Sequence, residues 1–207
     1  VIAFSSSSAI TKNFSANRFD RELVARLISA EDQLIATCMR MEMSCRILRP
    51  TLIYGRVGSY MDRNLSRLIG LMRRMPLLPL PAHTGLRQPI HASQLAAVAL
   101  ELVRQFTTSG WDPQLPQRTA LGGDTELSYS AMLRTLQQSL PFEDPARKCR
   151  LLHIPTRLFQ AAAAPLLLYS PKAFEAVLRI SADLSGFTPV HQLLRTKPQE
   201  FPVFPLI

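Results

Sequence analysis

Cysteine is scarce in this sequence, with 3 residues among 207. Cys38, Cys45 and Cys149 are too few for a disulfide framework and lack the paired spacing of a zinc site. They read as buried thiols, and a reducing compartment, the cytoplasm, is the expectation. Long hydrophobic runs are also lacking. The longest, Leu158 to Tyr169, has 12 residues and is interrupted by Gln160 and Pro165, whereas a bilayer span needs about 20. No transmembrane segment is expected. The charged start of a signal peptide is missing too, because the chain opens on Val1 and Val1 to Phe4 reads as a buried strand. That opening is expected to be internal to a longer protein. Aromatics are few at 7%, and none interleaves with the densest basic patch, Arg63, Arg67, Arg73 and Arg74. Single-strand binders need stacking rings beside a basic groove, so no nucleic acid is expected as a partner. The four histidines share no metal spacing.

What is present is enough apolar material for a core, with 47% hydrophobic and 19% charged residues, and a net charge of +9 carried mostly by arginine. The Arg63 to Arg74 cluster reads as a solvated helix face, with an accessory phosphate or membrane contact as the alternative. Val1 to Ser5 is an apolar run closed by serines, as at the C-terminal end of a parallel strand. Arg21 to Arg40 repeats apolar residues at helical spacing, including Leu23, Leu27, Leu34 and Cys38. Met43 to Leu48 reads as a second strand, ended by Pro50 and followed by a turn at Gly55. Strand, long helix and strand make a βαβ crossover, and hence a parallel sheet.

Further on, the pattern predicts a helix over Met61 to Met75, an extended piece at Leu77 to Pro81 and a strand at Arg87 to His91. A helix from Ser93 to Phe106 follows, with Leu95, Val98, Ala99, Leu102 and Val103 on one face. Arg118 to Gly122 reads as a strand, and Ser128 to Leu140 as a helix capped by Ser128. Leu151 to Ile154 reads as extended, Pro155 as a helix start, and Lys172 to Ile180 as another helix. Leu158 to Leu168 reads as core or as a subunit contact, compatible with a homodimer. The proline-bearing tail from Thr196 excludes a regular helix.

Three segments carry a resemblance in this order: Phe4-Ser5-Ser6-Ser7-Ser8-Ala9, Leu48-Arg49-Pro50-Thr51-Leu52-Ile53-Tyr54-Gly55 and Arg87-Gln88-Pro89-Ile90-His91-Ala92. They resemble, respectively, the strand-end serine motif, the LRPxxxYG segment and the RDFIHV segment of the NAD(P)-dependent epimerase/dehydratase family, the extended short-chain dehydrogenase/reductases. The resemblance implies an α/β fold: the C-terminal half of a Rossmann-like parallel sheet with a smaller α/β substrate-binding lobe. Residues 1–55 would belong to the cofactor domain and 56–207 to the substrate lobe, with about 92–123 packing back on the sheet.

The function the resemblance implies is isomerase or oxidoreductase chemistry: hydride transfer at the ring of a nucleotide-sugar substrate through bound NAD or NADP. It would make Ser7 catalytic, place Ser5, Ser6, Pro50, Thr51 and Leu52 around the nicotinamide, and give Arg87 and Tyr54 to the substrate. The departures are equally specific. The family's Tyr-x-x-x-Lys pair should fall near Leu23 and Leu27, and neither residue type is there. None of the eight glycines forms the phosphate-seating G-x-x-G-x-x-G turn. The first four strands of such a sheet are therefore expected outside these residues. A catalytically silent member that binds nucleotide or serves as a structural subunit is the alternative, and a basic scaffold for anionic polymers or membranes is a third reading.

Overall fold

The computed structural model describes residues 1–12, 17–166 and 170–206. Four parallel strands form the main sheet in the order β1 (Ile2–Phe4), β2 (Arg46–Pro50), β9 (Arg118–Gly122) and β12 (Thr188–Pro189). The crossover from β1 to β2 contains α2 (Arg18–Arg40), and the crossover from β2 to β9 contains α4 (Ala92–Ser109). Successive residues of β2 point to opposite faces. Ile47 joins Cys38 and Cys45 on the α2 side, and Leu48 joins Leu95, Val98, Leu102 and Leu121 on the α4 side. Helices on both faces of a parallel sheet make this a Rossmann-like α/β fold.

The helices start where side chains take up orphan backbone donors. Asn17 accepts from the Phe19 N–H at 2.8 Å, with Asp20 in the first turn and Arg40 in the last. The buried stripe of α2 is Asp20, Val24, Glu31 and Cys38, while Leu23 of the expected apolar stripe is 39% exposed. At α4, the His91 ring accepts from the Ser93 N–H while Gln94 accepts from the His91 N–H. Ser128 caps α5 (Tyr129–Ser139) as predicted, accepting from Ala131.

The second core belongs to a lobe beside the sheet. After β3 (Ile53–Tyr54) and the hairpin β4 (Arg56–Val57) to β5 (Tyr60–Met61), α3 (Asn64–Arg74) leads to β6 (Leu77–Pro81). β6 pairs in parallel with β11 (Arg150–Ile154). Leu65, Ile69 and Met72 of α3 pack with Leu78, Leu80 and with Met132, Leu133 and Leu136 of α5. The tail contributes Phe201 and Leu206 to this core, with no regular helix after Thr196 among the described residues. Gly55 joins the two cores at φ +101°, and a Cβ there would meet the His91 ring at 2.0 Å.

Two expectations are corrected. The strand expected at Arg87 to His91 is two short ones, β7 (Leu86–Arg87) and β8 (Ile90–His91). Pro89 lacks a ladder donor, and the Gln88 carbonyl accepts from the Thr51 hydroxyl and the Gly123 N–H, so the run breaks there. β7 pairs with β10 (Leu127–Ser128), and β8 with β3. The second strand of the sheet begins at Arg46 rather than Met43 and includes Pro50. β12 and the short α8 (Val190–Leu194) give no periodic signal, being too short to repeat one. In the apolar run after Pro155, α6 covers Thr156–Ala163, and Leu167 to Tyr169 lie outside the described residues. α7 (Pro171–Leu178) follows.

Candidate functional site

Open parallel sheets leave a crevice at the C-terminal ends of their strands, and the serine segment sits there. The Ser5 N–H donates to Leu48 O at 2.8 Å and the Ser7 N–H to Pro50 O at 3.0 Å, so the chain follows β2 before turning into α1 (Ser8–Thr11). Each serine then has a different role. Ser5 Oγ donates to Glu31 Oε1 at 2.5 Å. Ser6 Oγ accepts from the Ser8 N–H at 3.2 Å. Ser7 lines a cavity of about 500 Å³, and its hydroxyl has no partner among the described residues.

Thr51, Leu52 and Arg87 line the same cavity. The structure therefore brings four of the sequence-predicted residues, Ser7, Thr51, Leu52 and Arg87, around one space. Pro50 stands behind them as the buried end of β2. Ser5 and Ser6 are not cavity residues. Tyr54 is turned away altogether: its hydroxyl accepts from the Val203 N–H at 2.7 Å, and its ring packs edge-on against His91 and Phe201. Burial pushes its phenol up to about 12.

Most polar groups on the cavity floor are already engaged. Thr51 Oγ1 donates to Gln88 O at 2.6 Å. Arg87 is 6% exposed, and its guanidinium donates to the carbonyls of Leu86 and Ala182 at 2.6 Å each and to that of Arg179. The Tyr129 ring lies 5.2 Å from its carbon centre. Burial pulls the Arg87 pKa below its ordinary value, which Tyr129 and Asp183 partly offset. Arg87 thus stitches β7 to the 179–184 segment, where Leu184 N–H also reaches Leu86 O at 2.9 Å.

Behind β1 and β2 lies a charged network. Glu31, 4% exposed, accepts from Ser5 and from two nitrogens of Arg49, and Arg118 lies 3.1 Å away. Burial alone would raise this carboxyl, but Arg49, Ser5 and Arg118 outweigh it and hold Glu31 below its usual value.

The sequence reading missed Thr11, Asn64, Arg67 and Tyr129 on the cavity wall, and Leu184 and Phe187, which close it. Tyr129 follows the predicted cap Ser128, and its hydroxyl has no partner among the described residues. Burial raises its pKa, with Arg87 acting against the shift. No periodic or motif signal marks Leu184 or Phe187. Among the described residues no helix is long and apolar enough to cross a membrane.

No protein-family model matches this sequence. No curated protein matches it either. Solved structures do match in fold. The chain is similar to UDP-N-acetylglucosamine 4-epimerase from Bacillus cereus, at 15% identity and TM-score 0.56, over 96% of this chain and 61% of that one. It is similar to UDP-glucose 4-epimerase from Brucella ovis in complex with NAD, at 16% identity and TM-score 0.50, over 80% and 57%. It is also similar to the terminal R domain of the myxalamid PKS-NRPS pathway, at 13% identity and TM-score 0.58, over 96% and 53%. This chain therefore spans 53% to 61% of the length of these proteins. At such identities the likeness establishes the fold.

Proposed function

We propose that this chain forms the nucleotide-sugar side of an NAD(P)-linked epimerase/dehydratase-type site. The supporting observation is the cavity of about 500 Å³ at the C-terminal ends of β1 and β2, with the Ser7 hydroxyl unpartnered on its wall. In this reading residues 1–55 belong to the cofactor side and 56–207 chiefly to the substrate lobe. Ser7 holds the reacting sugar oxygen, the Tyr129 hydroxyl supplies a second donor, and Leu52 with Leu184 and Phe187 excludes water.

The residues present fit only one end of a dinucleotide. Ser7, Thr51 and Leu52, backed by Pro50, form a wall against which a nicotinamide ring can lie, and the bound cofactor would supply the hydride chemistry. No glycine-rich turn opens α1 or α2 to seat the dinucleotide's own pyrophosphate. What this chain's residues do is bind and orient a sugar.

The second reading is a catalytically silent binder. It is favoured by Leu23 and Leu27 standing where the resemblance calls for tyrosine and lysine, and by the carbonyls that occupy Arg87. Titration with UDP-sugars, followed by turnover assays with added NAD or NADP, separates the two. Turnover that Ser7→Ala lowers more than about tenfold with binding retained supports the enzyme. Binding without turnover supports the silent form, and absence of both overturns the proposal.

A further inference from the structure

α3 carries arginines that the described part of the molecule leaves unneutralised. Arg63, Arg67 and Arg74 stand four and seven residues apart with Gly70 between the last two, so all share one helix face. The three are exposed and have no ion pair or hydrogen bond among the described residues. Their neighbour Arg73 differs, being held by Asp144 at 2.7 Å, as Arg179 is held by Asp20 at 2.6 Å.

A groove of about 460 Å³ runs along this face. At Gly70 a Cβ would meet nothing within 4 Å, so the floor between Arg67 and Arg74 is open. These two residues lie two turns apart, about 10 Å along the axis, close enough for both guanidinium groups to close on one small polyanion. Ser66 borders the groove with a buried hydroxyl that has no partner among the described residues. Asp62 is the acid there. Its carboxylate is taken up by the backbone N–H groups of Gly55, Asn64 and Leu65 at 3.3, 2.8 and 2.7 Å. Arg67 and Leu71 line both this groove and the cavity, so the two spaces adjoin at these side chains.

We propose that the α3 groove is a diphosphate subsite: the uncharged part of the ligand occupies the cavity, and its diphosphate lies over Gly70 between Arg67 and Arg74. The proposal rests on the nucleotide-sugar reading and moves the anion contact from Arg87, whose donors face carbonyls, to α3. A bidentate guanidinium with free donors is the group that suits a phosphate.

Titration calorimetry on the whole chain, with inorganic pyrophosphate as the probe, tests this. Saturable binding that weakens with salt is expected. The Arg67→Gln/Arg74→Gln variant should lose at least about tenfold in affinity with an unchanged melting temperature, because neither side chain has a partner to lose. Arg26→Gln/Arg134→Gln, which removes the same charge from α2 and α5, should bind as the parent does. Gly70→Leu, filling the floor without altering charge, should weaken binding by a similar factor.

Equal losses in the two double variants, no pyrophosphate binding, or capture by phosphatidylglycerol vesicles in its place would each overturn the proposal. Pyrophosphate binding with the expected arginine dependence, and no binding of UDP-glucose, keeps the subsite and removes the nucleotide-sugar reading. UDP-glucose binding that ignores Arg67 and Arg74 does the reverse.

Discussion

The floor and the rim of the cavity are built from similar residue types and differ in what those residues have left to offer. On the floor, Arg87, Gln88 and Thr51 spend their donors on backbone carbonyls of β7, the 123 turn and the 179–187 segment. On the rim, Ser7, Tyr129 and Arg67 have polar groups with no acceptor or donor among the described residues. A buried polar group must be satisfied internally, because leaving it unpaired costs about 1–3 kcal/mol. A rim group is satisfied by water and can exchange that water for a ligand. Residue type therefore identifies neither class, whereas spare hydrogen-bonding capacity does.

This contrast can be broken most forcefully at Arg87. Arg87→Ala strands the Ala182 carbonyl, takes one donor each from the Leu86 and Arg179 carbonyls and empties a buried site beside Tyr129, and the expected loss of stability is about 3 kcal/mol or more. It should be read by urea unfolding with the midpoint compared against parent protein. An Arg87→Ala protein of parental stability that had lost only ligand affinity would place Arg87 on the rim instead.

Glu31 comes next. Glu31→Ala leaves Arg49 without its acid and Arg118 with Asp32 alone, and because Arg118 is partly exposed the cost is set at about 2–3 kcal/mol. The same group predicts an acid limb. Its pKa is depressed in the fold, so its contribution is complete above the unfolded value, near 4.3, and is lost as pH falls through the folded value. Thermal melts of parent and Glu31→Gln should differ most near neutrality and converge in acid; curves that stay parallel to low pH would contradict the assignment.

The smallest effect on stability belongs to the rim. Ser7→Ala and Asn64→Ala should each change unfolding free energy by no more than about 0.5 kcal/mol, and any cost should appear in ligand titrations. A rim substitution as destabilising as Arg87→Ala would erase the distinction between the two surfaces.

How much of this was legible beforehand follows from range. The Ser128 cap, the strand Arg118 to Gly122 and the α4 stripe at Leu95, Val98, Ala99 and Leu102 depend on neighbours within about one turn or one strand, and they are found where expected, whereas Val103 of that stripe is 50% exposed. Arg87 was equally visible as an arginine beside a strand. Its partners are 92 and 95 positions away, at Arg179 and Ala182, and no local pattern announces them. Tyr54 fails to reach the cavity for a similar reason, since Val203 claims its hydroxyl from 149 positions away. The arginine patch on α3 reads from sequence as a solvated face, with a phosphate or membrane contact only as the alternative, because its position beside the cavity appears only once α3 is docked on α5.

Local sequence alone determined that this chain makes a parallel βαβ unit with serines at a strand end and an arginine-rich helix beyond it. Apolar spacing, caps and proline act over a few residues, and those residues are written next to one another. Tertiary structure alone decided which serine faces open space, which arginine is bound up and which is free. Those outcomes depend on carbonyls and rings brought in from the far end of the chain, and burial leaves each polar group a single way to be satisfied.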